Sequence, residues 1–364
     1  MTSHTRRFLS VLILIAVIFS SILLPGSAYA ETLRFVFLAD SRSDTPAVPD
    51  PPFTDLINTA ALNGINAHIL ALSPKPRFVV FGGDMSYRGC WKGTYTFQTW
   101  KNVMSPLTDA GIKLYTAIGN HELYDKDAPG FLLANQQQYQ QAFTDNPGNG
   151  PAGYERLVYS FESPGVDCFF AVLDPYFLTA DVPNPNTGGT FDTTQLMWLA
   201  GQVGQTKATH KFLFNHAPYY YVKKDDIPTP ADTTYTYLWS FLDDTGFNIY
   251  FCGHTHLYSR KAIDKGIAPD PQTNPPLGPW QNNVVQLLNG TCGAPVDSAA
   301  LSVDAAKWHV SQAANTYYFS VVDINADQVT VTSYGYNEDT AAYGVIDSFV
   351  INPIITPAMD LLMQ

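Results

Sequence analysis

Positive charge is what this chain is short of. Of 364 residues only 20 are Lys or Arg, against 32 Asp or Glu, for a formal net charge of −12. So acidic a chain offers no basic footprint for duplex nucleic acid or an anionic membrane. A small phosphorylated substrate stays open, because bound cations reverse the sign of the field locally. Cysteine is scarce too: Cys90, Cys168, Cys252 and Cys292 are the only four. None has the close spacing of a zinc-thiolate site. Beyond the first thirty residues no apolar run is long enough to span a bilayer. Internal repeats and low-complexity tracts are missing as well, which excludes solenoids and arrays.

The leading segment has the form of an export signal. Arg6 and Arg7 precede an apolar run from Phe8 to Leu24, Pro25 and Gly26 break it, and Ala28-Tyr29-Ala30 supplies a small-residue cleavage site. Cleavage after Ala30 is expected, with an uncleaved anchor as the alternative. The mature protein is then secreted or periplasmic, with no stable membrane span. Residues 31–364 form one large domain with insertions. The departing piece carries two Arg and no acidic residue, so the net charge moves from −12 to −14. Export permits disulfides. Cys168 and Cys252 lie inside apolar strand runs and read as small buried thiols. Cys90 in RGCWKG and Cys292 in NGTCGAP both sit in Gly-containing loops, and a Cys90–Cys292 bridge is expected.

From Leu33 onward, short apolar runs alternate with helical stretches, the signature of an α/β protein. LRFVFLAD, RFVVFGGD and IKLYTAIGNHE read as strands. A helix is expected from about Thr54 to Leu72, with Leu56, Ile57, Ala60, Ala61, Ile65, Ile69 and Leu72 on one face. TFQTWKNVMSPL reads as a second helix ending near Pro106. The polar stretch from Tyr124 to Gly153 reads as a surface insertion. YSFES and VDCFFAVLD fit a hairpin about Pro164-Gly165, and Asp192 to Gln195 resembles a capping box opening the helix TTQLMWLAGQV. KFLFNHAP is a further strand, and the helix YTYLWSFLDDTG feeds the strand that ends in Gly253. Ile267 to Pro279 is a long Pro-rich loop. VVQLLNG, TYYFSVVDI, QVTVTSYGY and DSFVI are strands, with Asn325-Ala326-Asp327 as a turn, and a second, mostly antiparallel sheet is expected from them.

Four of these runs end in a sharp polar break: FLADSR, VVFGGDMSY, LYTAIGNHE and IYFCGHTH. Rigid parallel strands with chemistry on the loops at their carboxyl ends produce this pattern. Carboxylates, an amide oxygen and imidazoles are the ligand set of a hard-to-borderline metal pair.

In order, Asp40, Gly83-Asp84, Gly119-Asn120-His121-Glu122, His216 and Gly253-His254-Thr255-His256 resemble the calcineurin-like metallophosphoesterases, in register from Arg34 to about Tyr258. A single G-D pair carries no weight. G-N-H-[DE] followed by G-H-x-H, each after an apolar strand, is specific. The resemblance implies a four-layer α/β/β/α sandwich of two packed mixed sheets, with 31–364 as the catalytic domain. It implies that Asp84 bridges two metal ions. Asp40 and His256 complete one ion's shell, and Asn120, His216 and His254 the other's. A hydroxide between the ions would attack phosphorus. His121 resembles the catalytic imidazole that protonates the leaving group or holds a phosphate oxygen.

One departure stands out. The family often opens with Asp-x-His, whereas here the residues are Asp40-Ser41-Arg42. The G-D-x-x-Y pattern of Gly83 to Tyr87 resembles purple acid phosphatases, whose Tyr is a ligand. A Tyr87 phenolate would favour iron, paired with zinc, manganese or a second iron. The alternative is that Tyr87 only packs beside the site. The extra N-terminal sandwich domain of the plant enzymes is not recognisable. His216, lying between the two specific motifs after its own strand, reads as a ligand; His68, His210 and His309 read as structural.

Arg42 and Arg88 stand close enough to ligand positions to reach a phosphate, with a salt bridge to a nearby residue such as Asp44 as the alternative. Tyr219, Tyr220 and Tyr221 could line a leaving-group pocket or pack in the core. The expectation is an exported dinuclear phosphoesterase, first an acid-phosphatase-like phosphomonoesterase, alternatively a phosphodiesterase or nucleotidase of the same fold. A non-catalytic secreted binding module is the remaining alternative. Loss of the bridging Asp or of His121 would mark it, and both are present.

Overall fold

The computed structural model describes residues 32–46, 51–128, 130–179, 189–220, 233–263, 280–296, 309–311, 317–325, 328–337 and 339–351. The expected signal segment, the Pro-rich loop from Ile267 to Pro279, Tyr221 and the turn residues Ala326-Asp327 lie outside the described residues.

Strands β1 (Leu33–Leu38), β2 (Phe78–Phe81), the short pair β3 (Cys90–Trp91) and β4 (Thr94–Tyr95), and β5 (Lys113–Thr116) come first. They are followed by β6 (Tyr159–Glu162), β7 (Cys168–Val172), β8 (His210–Phe214), β9 (Ile249–Cys252), β10 (Tyr258–Ile263) and β11 (Val284–Asn289). The chain closes with β12 (His309–Ser311), β13 (Tyr318–Asn325), β14 (Gln328–Asn337) and β15 (Ala342–Ile351). One sheet runs β15-β14-β13-β1-β2-β5 and the other β12-β10-β11-β9-β8-β7-β6. The strands that matter for chemistry, β1, β2 and β5 in one sheet and β7, β8, β9 and β11 in the other, are parallel neighbours.

Period-two alternation explains the layering. Phe35, Phe37, Phe78 and Val80 of the first sheet join Phe170, Val172, Phe212, Phe214 and Phe251 of the second in one buried cluster. Phe35 stacks on Phe78 at 5.2 Å and meets Phe170 edge-on at 5.6 Å. Each such ring stabilises the interface by roughly 2–3 kcal/mol through burial alone. The intervening Val36, Leu38, Val79 and Phe81 share a second cluster with Leu62, Ile65, Trp100 and Met104 of the helices Thr59–Ala71 and Phe97–Asp109. Ala171, Leu213 and Tyr250 belong to that cluster with Leu199 and Val203 of the helix Thr193–Gln205 and Leu238 and Leu242 of the helix Thr233–Thr245. The result is the α/β/β/α sandwich. Toward the β15 side a polar chain crosses between the sheets: Ser320 to Ser333 (2.8 Å), Ser333 to the Tyr258 hydroxyl (3.0 Å), and Tyr258 to Asp347 (2.9 Å). Arg260 closes it with a 2.7 Å ion pair to Asp347.

Several local expectations need correction. The C-terminal strands form no sheet of their own: β13, β14 and β15 extend the β1 sheet antiparallel, and β11 inserts between β9 and β10. The helix expected from Thr54 is broken at Ile57, which is extended and bridges Arg42; Asn58 then caps a new helix by accepting from Ala61 at 3.1 Å. The second helix runs past Pro106 to Asp109. The stretch from Tyr124 is no mere surface insertion. It contains the helix Leu133–Ala142, whose Tyr139 is wholly buried and donates to Thr116 at 2.7 Å. Asp192 does cap its helix, accepting from Gln195 at 3.0 Å, but the Gln195 amide serves Asp174 as well as Asp192, so the box is not reciprocal. Finally, Cys90 and Cys292 are not bridged, and all four thiols are free and buried. The Cys90 N–H donates to the Tyr124 carbonyl at 3.2 Å and the Cys292 N–H to the Ala39 carbonyl at 2.8 Å, so the two loops serve different neighbours.

Candidate metal centre

Five strands deliver the centre. Asp40 lies two residues past β1, Asp84 three past β2, Asn120 four past β5, His216 two past β8, and His254 two past β9. Asp40, Asp84 and His254 all take left-handed backbone conformations, with φ of 62°, 56° and 72°. Such a conformation is strained for any residue with a Cβ, by roughly 1–2 kcal/mol each, and persists where the surroundings over-determine it. Here they do. The Asp40 N–H donates to the Gly83 carbonyl (3.0 Å), Arg42 N–H to the Asp84 carbonyl (3.1 Å), and Gly253 N–H to the His216 carbonyl (2.9 Å). Gly119 and Gly253 are glycines because a methyl group at either would fall onto the carboxylates of Asp84 and Asp40 respectively.

Donor atoms converge in the space so framed. His216 Nε2 is 3.3 Å from Asp84 Oδ1 and 3.9 Å from Asp40 Oδ1, and His256 Nε2 is 3.6 Å from Asp40 Oδ1. Asn120 Oδ1 and His254 Nδ1 stand 3.1 Å apart, the spacing of two donors on one cation. Asp40, Asp84 and His216 each bring a ligand atom within 4.8 Å of the others. The outer nitrogens fix the rings: His216 Nδ1 faces the Gly82 carbonyl at 2.8 Å, His256 Nδ1 the Pro295 carbonyl at 2.8 Å, and His121 Nδ1 the Tyr87 carbonyl at 2.7 Å. A carbonyl accepts only, so each ring's Nε2 is left to face inward, as second partners of metal-bound imidazoles do. His216 Nε2 is buried and has no hydrogen-bond partner. An orphaned lone pair between two carboxylates fits a cation.

The electrostatics say the same. Burial raises Asp40, whereas for Asp84 the charges of His216, His121 and Arg42 outweigh burial and hold it well below the carboxylate range. Burial would lower His216, but Asp84 and Asp40 drive it up to about 10. Two buried carboxylates demand positive charge, and a proton on His216 meets that demand when no cation does. His254 is pressed down to about 3 by burial and by His216, and His121 to about 4 by burial first, so both are neutral.

Of the residues singled out in the sequence, Asp40, Asp84, Asn120, His121, His216, His254 and His256 meet here. Arg42 joins them: its Nε, buried and without a hydrogen bond, is 4.0 Å from Asp84 Oδ2. Tyr87 and Arg88 sit at the rim. The Tyr87 hydroxyl accepts from Thr45 at 3.3 Å, and its ring lies 5.8 Å from that of His121. The Arg88 guanidinium stands 4.6 Å over Tyr124 and 5.2 Å from Tyr87. Tyr219 and Tyr220 are core residues, Tyr219 stacking on Trp239 at 4.9 Å. His68 is half-buried among Phe319, Tyr334 and Tyr343, and His210 is buried in β8.

Two residues here were given no role by the sequence reading, Glu122 although it stands in the G-N-H-[DE] motif. Glu122, fully buried, accepts the backbone N–H groups of Asp84 (2.8 Å), Met85 (2.8 Å) and Gly119 (2.8 Å), tying the Asp84 and Asn120 loops together. Burial and the Asp84 charge push it up to about 7 against those donors. Its signal was present: an acidic residue three after the glycine that opens a helical turn. Tyr176 is the other. It is fully buried, with its hydroxyl 3.5 Å from His254 Nδ1.

The sequence profile of the calcineurin-like phosphoesterases matches residues 34–258. The chain belongs to this family of metal-dependent hydrolases of phosphate esters. Among solved structures it is similar to the purple acid phosphatase PPD1 from yellow lupin seeds (TM-score 0.60, 14% identity), covering 89% of this chain and 54% of that one. The chain thus spans about half the length of the lupin protein. It is also similar to PhoD (TM-score 0.53, 13% identity, 87% of this chain and 72% of that one). A dimetal phosphatase from Danio rerio is similar at TM-score 0.50 and 14% identity, over 88% of this chain and 99% of that one. At these identities the likeness is one of fold. No curated protein sequence matches the chain.

Proposed function

We propose that this chain is an exported dinuclear hydrolase of small phosphate monoesters. The orphaned Nε2 of His216, held between Asp84 and Asp40, carries the metal part of the reading. Asp84 would serve two cation positions, with Asp40 and His256 holding one cation and Asn120, His216 and His254 the other. A cation pair, when bound, supplies a nucleophile at neutral pH and charge to balance phosphate. The residues do the rest. Asp84 Oδ1 accepts the His121 N–H at 3.0 Å, which fixes His121 beside it with Nε2 3.9 Å from Asp84 Oδ2. From there His121 presents Nε2 to the leaving oxygen; neutral in the free chain with its proton on Nδ1, it can act as the acid once the negative charge of a bound phosphate draws a second proton onto Nε2.

Arg42 favours monoesters over diesters. Its Nε, without a hydrogen bond and 4.0 Å from Asp84 Oδ2, adds positive charge at the Asp84 side, which suits a dianionic terminal phosphate better than a singly charged diester. Iron paired with zinc, manganese or a second iron is our reading of the metals. Tyr87, whose hydroxyl oxygen accepts from Thr45 at 3.3 Å, would supply the phenolate ligand to the iron.

The test is metal analysis, a visible spectrum and paired assays on the mature chain, with a nitrophenyl monoester and the matching diester as substrates. The reading expects about two cations per chain and faster monoester hydrolysis. A broad visible band lost in Tyr87→Phe would place the phenolate on iron. A chain that binds no cation refutes the reading outright, and dominant diester turnover refutes its substrate half.

A further inference from the structure

Tyr176 belongs to no motif of the family resemblance, yet the fold builds it against the second cation position. It follows β7 by four residues, and its hydroxyl reaches to 3.5 Å from His254 Nδ1, the atom that faces Asn120 Oδ1. The ring lies 5.9 Å from that of His216 and 6.5 Å from that of His254, so it abuts both imidazoles assigned to that cation. Its placement is enforced from behind. The Tyr176 N–H donates to Asp174 Oδ1 at 2.7 Å, and Phe131 meets the ring edge-on at 5.9 Å. Gln195 clamps the Asp174 backbone through both its N–H (3.0 Å) and its carbonyl (2.8 Å). A fully buried, rigidly held hydroxyl at a charged centre is a preorganised donor, needing no reorganisation when negative charge arrives.

The geometry points to Tyr176 as a phosphate-binding residue of this centre, its hydroxyl donating to an oxygen of the phosphate group on the His254 side. The inference rests on the dinuclear reading above. With a cation on His254 Nδ1, that nitrogen no longer offers the hydroxyl a lone pair. An oxygen of phosphate on the His254 side would be an acceptor for the hydroxyl, and phosphate oxygens carry the charge dispersed during transfer. Arg42, on the Asp84 side, and Tyr176, on the His254 side, would then hold the phosphate from opposite flanks.

The test compares the metal-loaded wild type with Tyr176→Phe, which removes one oxygen and leaves the ring contacts to Phe131 and His216. Cations are counted by elemental analysis and inorganic phosphate is titrated by calorimetry. The inference expects both proteins to hold the same cations, with phosphate bound about tenfold more weakly by the variant. Equal phosphate affinity with equal metal content overturns it. So does loss of cations from the variant, which would make the hydroxyl a support of the metal rather than of the phosphate. A wild type that holds no cation fails in the other arm, and the dinuclear reading falls with the inference.

Discussion

Asp174 offers a test of the electrostatics away from the ligands themselves. It is fully buried two residues past β7, and its Oδ2 has no hydrogen-bond partner among the described residues. Burial, opposed by the Tyr176 N–H and aided by the Asp192 charge, pushes its carboxyl from 3.8 up to about 7. Below pH 4 the group is neutral in folded and unfolded chains alike and costs nothing. Between pH 4 and 7 the unfolded chain releases the proton while the folded one keeps it, so stability falls as pH rises. The slope approaches about 1.4 kcal/mol per pH unit, and the window totals on the order of 4 kcal/mol before levelling above pH 7. Asp174→Asn keeps the shape and the acceptor for Tyr176 but cannot ionise. Its constant cost, an amide where a carboxyl was, cancels when two pH values are compared. Thermal melting of both proteins with chelator at pH 4 and pH 8 should show the variant gaining on the wild type by roughly 6 °C across that span, at the usual unfolding entropy per residue. A gap between the two proteins that does not change with pH would refute the reasoning.

Four further substitutions address the centre. Asp84→Asn should lose both cations and hydrolysis together, whereas His121→Ala should keep the cations and lower turnover by about 10²–10⁴, as elemental analysis and steady-state kinetics would show. Glu122→Gln leaves a single oxygen for three backbone donors, so melting should fall by about 1–3 kcal/mol of stability and metal affinity should drop with it; unchanged metal titration would deny Glu122 its role as the tie between loops. Gly253→Ala drives a methyl into Asp40 and to 2.8 Å from the Ala39 side chain, and should cost about 1–3 kcal/mol as overpacking while weakening cation binding, measured on the same titration.

The chemistry was more legible in the sequence than the connectivity. Each candidate ligand stands at an abrupt change from apolar run to polar break, a local signal that singles it out without knowledge of the fold. Sheet membership is non-local. The alternation in TYYFSVVDI and QVTVTSYGY marks strands, but which edge they join is decided by pairings such as Arg34 with Asp323, 289 residues apart and joined at 2.6 Å. Helix boundaries failed where tertiary contacts overrode propensity, as at Ile57, which gives up helix to bridge Arg42. The expected disulfide failed because sharing a loop composition says nothing of sharing a place. Tyr176 left no trace at all, since only the return of β7 beside β8 brings it to the imidazoles.

The donors come from both halves of the sandwich: Asp40, Asp84 and Asn120 from one sheet, His216, His254 and His256 from the other. A cation pair seated there would be a buckle across a seam. Strands in different sheets share no ladder of hydrogen bonds, so the seam is otherwise joined by the phenylalanine interior and by single bonds such as His216 to the Gly82 carbonyl, Tyr159 to the Thr116 carbonyl and, toward β15, the chain from Ser320 to Arg260. Whatever binds the closed buckle stabilises the closed sandwich by mass action, about 4 kcal/mol for a cation present at a thousand times its dissociation constant. On the proposed reading, occupancy of the centre and the cohesion of its two halves would therefore be one equilibrium.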